Sequence, residues 1–472
     1  MSVRAVGFLS MSLALGACLP DNPSGSTETD ASDGADATTA VDSADNMLGC
    51  DPGETCWVVL TAQTLDDRVE IFGGAAGNAP SYRGALDLDL KPGTELGPLD
   101  EPFGMSLSDT GLHVITGHYP TRELGAMLTF PTALFDEQSG TIDVDTFFTS
   151  GVFSEGVVET RFDEIEPIFA LPQTVSGKVL VSVFANDLFA AEDTWIEPGK
   201  LAVVDAANPA DFALATLSGL DGGDCLGASQ VVLLENEQSA AVACDGNEAV
   251  AFLDLGDLSA SPGDVAGGIT GRICDLPFQN DRRARYLAHD GAGGVLLGLG
   301  PTPLNATTSQ IYSVTSDCNL SPIDVADSDG QLGEIVRFDD THWLLAQGAI
   351  APQGVRGVQV VSPTGICNTL TGLEDAWSTE GDTISPYAIA VAPDGEHLAV
   401  GAGPSSIGNV QNSIYGKLLW VTLEGADDPC TMTAEFVDLT DGGGGRAPAP
   451  SVGDEATWRR GPNVVVIAEV TG

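Results

Sequence analysis

Pro386–Gly401 reads PYAIAVAPDGEHLAVG, an apolar run, a tight Asp394-Gly395 turn and a second apolar run. Alternation of this kind marks half-buried strands, and Asp-Gly supplies the backbone freedom that a short hairpin turn requires. The design returns along the chain. Pro102–Gly117 reads PFGMSLSDTGLHVITG and Tyr286–Gly300 reads YLAHDGAGGVLLGLG, with looser copies at Phe169–Phe184, Ser229–Cys244 and Ile335–Gln347. A third apolar strand follows each hairpin, at Met127–Phe135, Leu201–Asp205, Val250–Leu255, Ile311–Val314, Val358–Val361 and Leu418–Leu423. A fourth comes next, often opening on a cysteine, as at Cys274, Cys318, Cys367 and Cys430.

A period of roughly 50–65 residues made of four short antiparallel strands is the mark of a β-propeller. No segment sustains a helical period, and 57 glycines with 27 prolines suit turns. The expected fold is therefore all-β. Innermost strands beginning near residues 102, 167, 228, 283, 334, 386 and 454 give seven blades. The chain starts partway through a blade, with Trp57–Phe72 and Ala85–Leu90 as its outer strands, and Asp454–Val470 returns to complete it. Closure of this kind removes two sheet edges. Trp57–Leu60 and Val464–Ile467 both read as second strands, which leaves eight blades as the alternative count.

Residues Pro386–Val400, followed by Lys417–Leu423 (KLLWVTL), resemble seven-bladed propellers of the YVTN-repeat and phosphogluconolactonase-like group. The likeness extends as a pattern over most of residues 56–472. The Tyr-Val-Thr-Asn-type second strand of that group is replaced here by Val114-Ile115-Thr116-Gly117 and Ala399-Val400-Gly401-Ala402.

The N-terminus has a different character. Arg4, an apolar stretch from Ala5 to Leu15, and small residues before Cys18 have the layout of a secretory leader, too short to span a bilayer. Leu15-Gly16-Ala17-Cys18 resembles the lipobox of bacterial lipoproteins. The resemblance implies removal of residues 1–17, a diacylglycerol on Cys18 and, with Leu at position 19, an outer-membrane address on its periplasmic or surface face. The alternative is an ordinary secreted chain cut after Ala17. Several acyl chains anchor effectively permanently, whereas one is marginal. Residues 18–49 are rich in Ser, Thr, Ala, Asp and Gly with no basic residue, and so read as a disordered acidic tether. Residues 50–472 form the expected single, monomeric propeller domain.

Net charge is −50, from 18 basic against 68 acidic residues. Phosphate backbones need a basic surface, so nucleic acid is excluded as a partner. Eight of the nine cysteines follow Cys18: Cys50, Cys56, Cys225, Cys244, Cys274, Cys318, Cys367 and Cys430. In an exported chain they read as disulfides, with Cys50–Cys56 and Cys225–Cys244 as candidate pairs. A cysteine metal site is set aside, because no CxxC pair exists and no histidine sits at ligand spacing from a cysteine.

His113, His342 and His397 fall at equivalent repeat positions and read as structural, while His118 and His289 stand alone. No HExxH, GxSxG, P-loop or complete GxGxxG is present. Asp327-Ser328-Asp329-Gly330 with Glu334 is the stretch most like a calcium loop, although an ordinary acidic turn has the same composition; no cofactor is required and calcium is the one considered. Arg282, Arg283, Arg285, Arg337, Arg459 and Arg460 fall on expected innermost strands. There they would either bind a carboxylate-bearing ligand in the axial channel or neutralise Asp281, Glu334, Asp454 and Glu455. The longest loops are read as Ala185–Pro198, Gly73–Arg83 and Gly401–Gly416. Two functions follow from different classes. One is an envelope-tethered, non-enzymatic module that binds or scaffolds a protein, peptide or envelope polymer. The other is a metal-dependent hydrolase or lactonase with its site on the propeller axis.

Overall fold

The computed structural model describes residues 51–471 except 52, 64–67, 88–100, 109–110, 118–123, 132–157, 166–172, 187–195, 235–236, 277–281, 302–309, 324–329, 350–356, 380–381, 405–416 and 441–461. Its compact unit runs from Ala44 to Gly472. Blade 1 holds β1 (Thr55–Gln63), β2 (Arg68–Ala75) and β3 (Ser81–Asp87). Blade 2 holds β4 (Glu101–Ser108), β5 (Gly111–Gly117), β6 (Leu124–Pro131) and β7 (Val158–Ile165). Blade 3 is β8 (Gln173–Val175), β9 (Lys178–Val183), β10 (Lys200–Asp205) and β11 (Phe212–Thr216). Blade 4 is β12 (Ala228–Leu233), β13 (Ser239–Cys244), β14 (Ala249–Asp254) and β15 (Thr270–Asp275). Blade 5 is β16 (Arg282–His289), β17 (Gly294–Pro301), β18 (Gln310–Thr315) and β19 (Leu320–Ile323). Blade 6 is β20 (Gly330–Arg337), β21 (Trp343–Ala349), β22 (Gly357–Ser362) and β23 (Gly365–Thr369). Blade 7 is β25 (Asp382–Val391), β26 (His397–Pro404), β27 (Lys417–Glu424) and β28 (Thr433–Asp438), with the two-residue β24 (Ser378–Thr379) added beside β25.

β29 (Pro462–Thr471) returns to blade 1 as its innermost strand and pairs antiparallel with β1 from Thr55↔Thr471 to Gln63↔Pro462. The two runs that each read as a second strand thus lie side by side in one sheet, which fixes the count at seven. The ordering depends on this closure, because an unpaired β1 would expose a row of backbone donors and acceptors. Residues 454–461 lie outside the described residues, so the closing strand is seen only from Pro462. β3 starts at Ser81 rather than Ala85, drawn back by Phe72, whose ring meets Tyr82 edge-on at 5.6 Å across the strand pair. The expected long loop Gly73–Arg83 is accordingly a hairpin whose turn spans only 76–80.

Alternation sends one face of each strand toward each neighbouring blade, so the core is divided into layers between blades. Val232, Ala241 and Val250 of blade 4 pack with Leu287, Val295 and Leu297 of blade 5. Leu344, Val358 and Val360 of blade 6 pack with Leu398, Val400 and Leu419 of blade 7. Each such side chain contributes about 1.5–3 kcal/mol when fully buried. Among the described residues one α-helix occurs, α1 (Pro262–Gly268), between β14 and β15. It starts where Ser261 Oγ accepts the Asp264 N–H and Pro262 presets the first turn. No helix among the described residues is long and apolar enough to cross a membrane.

Candidate functional site

Five of the innermost strands share a local irregularity. β4, β12, β16, β20 and β25 each carry a β-bulge near their midpoint, where the register skips at Pro102/Gly104, Ala228/Val231, Ala284/Tyr286, Leu332/Ile335 and Pro386/Ala388. Phe103, Gln230, Arg285, Glu334 and Tyr387 stand at these bulges. A bulge turns a side chain out of the sheet's alternation. In two blades the result is a lock onto the next blade. Gln230 Oε1 accepts the Leu287 N–H at 2.7 Å, and Glu334 Oε2 accepts the Ile389 N–H at 3.1 Å. Burial pushes the Glu334 carboxyl up to about 7, against the opposing effect of that N–H. It is thus half protonated near neutrality. Ser182 Oγ adds a similar tie to Ser229 O at 2.7 Å, from blade 3 to blade 4.

The predicted arginine cluster is divided by the strand directions. Arg282, Arg283 and Arg285 lie in the first half of β16, whereas Arg337 ends β20. Innermost strands run the same way around the ring, which puts Arg282 and Arg337 toward opposite ends of the axis. Arg337 is also engaged: Nη2 donates to Asp340 Oδ1 at 2.9 Å, Nε to Asp339 O at 2.9 Å and Nη1 to His289 Nδ1 at 3.3 Å. Its carboxylate partner is Asp340. Arg459 and Arg460 lie outside the described residues, as do Asp327 and Asp329 of the candidate calcium loop. Glu334, the third member of that loop, points its carboxyl at the next blade.

His113 is wholly buried beside Thr129 Oγ1 at 3.0 Å, and desolvation lowers it to about 4, so it is neutral. His397 stacks on Trp420 with centroids 5.1 Å apart and meets Asp394 Oδ2 at 2.7 Å. His342 differs. Its Nδ1 lies 2.9 Å from Asp339 Oδ2 and its Nε2 lies 3.5 Å from Cys430 Sγ. Burial acts to raise the Asp339 carboxyl, but the N–H groups of Thr341 and His342 and the His342 ring outweigh it and hold it low. Sequence spacing hides this cluster because the blade 6 hairpin and the blade 7 outer turn meet only through the ring.

Three disulfides have both cysteines among the described residues. Cys225–Cys244 forms as expected and is wholly buried. Cys274–Cys318 joins the outer edge of blade 4 to that of blade 5, and Cys367–Cys430 joins blade 6 to blade 7. The cysteines that open fourth strands thus pair between neighbouring units. Cys56 is also disulfide-bonded, while Cys50 and Cys18 lie outside the described residues.

Of the expected long loops, 405–416 lies outside the described residues, and Ala185–Pro198 is described at its two ends. Asn186 ties those ends together. Its Oδ1 accepts the N–H groups of Ile196 and Glu197 at 3.2 and 3.1 Å, and its Nδ2 donates to Glu197 O at 2.8 Å. Beside this clamp Ile196 is 74% exposed, more than any other large apolar residue described.

These features define a seven-bladed β-propeller with polar inter-blade locks and a disulfide-stapled outer edge. Among solved structures it is similar to a proposed 6-phosphogluconolactonase from Bacteroides fragilis, at 11% identity and a TM-score of 0.51 over 88% of this chain and 98% of that one. A second proposed 6-phosphogluconolactonase, from Bacteroides uniformis, matches at 9% identity and a TM-score of 0.50 over 89% and 100%. The periplasmic gluconolactonase of Pseudomonas aeruginosa matches at 12% identity and a TM-score of 0.49 over 81% and 99%. No protein-family model and no curated sequence matches the chain. At these identities the likeness to the two Bacteroides structures shows the fold alone.

Proposed function

We propose that this protein is an extracytoplasmic binding module, tethered to the outer membrane through Cys18, whose propeller holds a protein, peptide or envelope polymer on its loops. The observation that carries this reading is the Asn186 clamp, which fixes both ends of the Ala185–Pro198 loop and presents Ile196 to solvent. Rigid scaffolds with displayed loops are a common basis for recognition. The disulfides support export. The bulge-borne polar groups whose bonds are described close blade contacts, which favours a scaffold over a catalytic axis. A photo-crosslinking residue at position 196, in cells carrying the lipidated chain, should capture a defined envelope component. The same residue at Val437, on the blade 7 outer strand, should not. Equal capture at both positions would remove the loop from the proposal.

A second reading is favoured by Glu334. A carboxyl raised to about 7 is poised as a general base near neutral pH, and the proposed 6-phosphogluconolactonases share the fold. A lactone whose ring opens by attack of water would be the substrate class, with Arg283 and Arg285 as candidate partners for its anionic group. Hydrolysis of sugar lactones above the spontaneous rate, abolished in Glu334→Gln, would replace the binding reading with this one.

A further inference from the structure

We propose that reduction of Cys367–Cys430 opens a metal site, in which the two thiolates and His342 Nε2 hold a zinc ion on the seam between blades 6 and 7. The site shares no residue with the loop and axial readings above. The sulfurs of Cys367 and Cys430 and the nearest ring nitrogen of His342 all lie within 4.8 Å of one another. Zinc sits about 2.3 Å from thiolate sulfur and about 2.0–2.1 Å from imidazole nitrogen, so adjacent S and N ligands of a tetrahedron stand about 3.5 Å apart. His342 Nε2 and Cys430 Sγ already stand 3.5 Å apart.

The orientation of the ring also fits. Asp339 faces Nδ1 at 2.9 Å, which favours the proton on Nδ1 and leaves the Nε2 lone pair aimed at sulfur. A disulfide sulfur has no proton to give it. A carboxylate behind a metal-facing histidine is the usual support for such a ligand. All three ligand residues are partly exposed, whereas Cys225–Cys244 is wholly buried. Opening the bridge takes two electrons. A small dithiol supplies them and becomes a cyclic disulfide, leaving two protein thiols. Zinc then displaces their two protons and retains water in its fourth position. The two thiolates balance the ion's charge.

The test uses the full folded domain with Cys50, Cys56, Cys274 and Cys318 replaced by serine, which leaves Cys367–Cys430 beside the wholly buried Cys225–Cys244. A water-soluble phosphine opens Cys367–Cys430, taking its oxygen from water, and Co²⁺ then Zn²⁺ are titrated. The reduced protein should bind one equivalent, with tetrahedral d–d absorption and thiolate charge transfer, and the oxidised protein should show neither. His342→Ala should abolish the tetrahedral signature, and Asp339→Asn should weaken affinity about 10–100-fold. Three outcomes would overturn the proposal: equal binding by oxidised protein, binding indifferent to His342, or reduction only with loss of near-UV circular dichroism.

Discussion

The seams between blades 4 and 5 and between blades 6 and 7 are built to one plan and differ in two side-chain choices. Each has a bulge residue on its innermost strand that accepts the N–H of the next innermost strand, Gln230 to Leu287 in one and Glu334 to Ile389 in the other. Each is stapled at the outer edge by a disulfide, Cys274–Cys318 or Cys367–Cys430. The first seam carries an amide in its lock and backbone carbonyls about its sulfurs, since Cys274 and Cys318 approach Thr315 O and Ile273 O. The second carries a carboxyl and a histidine. Architecture is thus common to both seams, and ionisable chemistry was added to one.

The largest expected effect tests what the seams share. Replacing both cysteines of either staple by serine should cost about 2–4 kcal/mol, and the bridged separations of 44 and 63 residues separate the two by only about 0.3 kcal/mol in the chain-entropy account. Thermal unfolding of the two double variants should therefore give nearly equal losses. A much smaller loss at Cys367–Cys430 would mean that bridge is chiefly chemical rather than structural.

The lock comes next. Gln230→Ala and Glu334→Ala each leave an inner-strand N–H without its acceptor, at a cost of about 1–3 kcal/mol apiece. Denaturant midpoints should fall together below about pH 4.5, where Glu334 is protonated in the folded and the unfolded chain. A third test makes the two locks alike. The Glu334 carboxyl is raised from 4.5 to about 7 in the fold, so the folded state holds its proton more tightly than the unfolded chain. Its ionisation therefore costs stability progressively as pH rises from about 4.5 through about 7, by a total on the order of 2–4 kcal/mol. Glu334→Gln keeps an acceptor for Ile389 and should flatten that part of the stability profile, with no change below pH 4.5. Parallel profiles for the two proteins would show that Glu334 reaches solvent and is not perturbed. The smallest effect is expected from His342→Gln in the oxidised protein, within about 1 kcal/mol, because the group is partly exposed and its role belongs to the reduced state.

The hairpin at Pro386–Gly401 was legible because a strand period of two and an Asp-Gly turn are local properties. Repetition brought the count to seven or eight, which the pairing of β29 with β1 decided, and the pair Cys225–Cys244 followed from a hairpin that brings its own ends together. The bulges left only a partial trace, in Pro102 before Phe103 and Pro386 before Tyr387. The staples were not legible, because each pairs cysteines of neighbouring blades and order along the chain does not state which blades touch where. His342 and Cys430 are 88 residues apart, and only the ring brings them together. Its strand alone points Arg337 to the axis; its engagement with Asp340 depends on the turn that follows.

β29 follows every other described strand and yet lies innermost in the first blade. While the polypeptide is being made, β1, with its Cys-Trp-Val-Val-Leu run, stays open on that side. A message cut short, or a tail trimmed by a protease before closure, would therefore yield an exposed apolar edge ready to pair with another molecule. Such a chain is expected to aggregate, so solubility rests on a ten-residue strand, β29, made about 400 residues after the strand it covers.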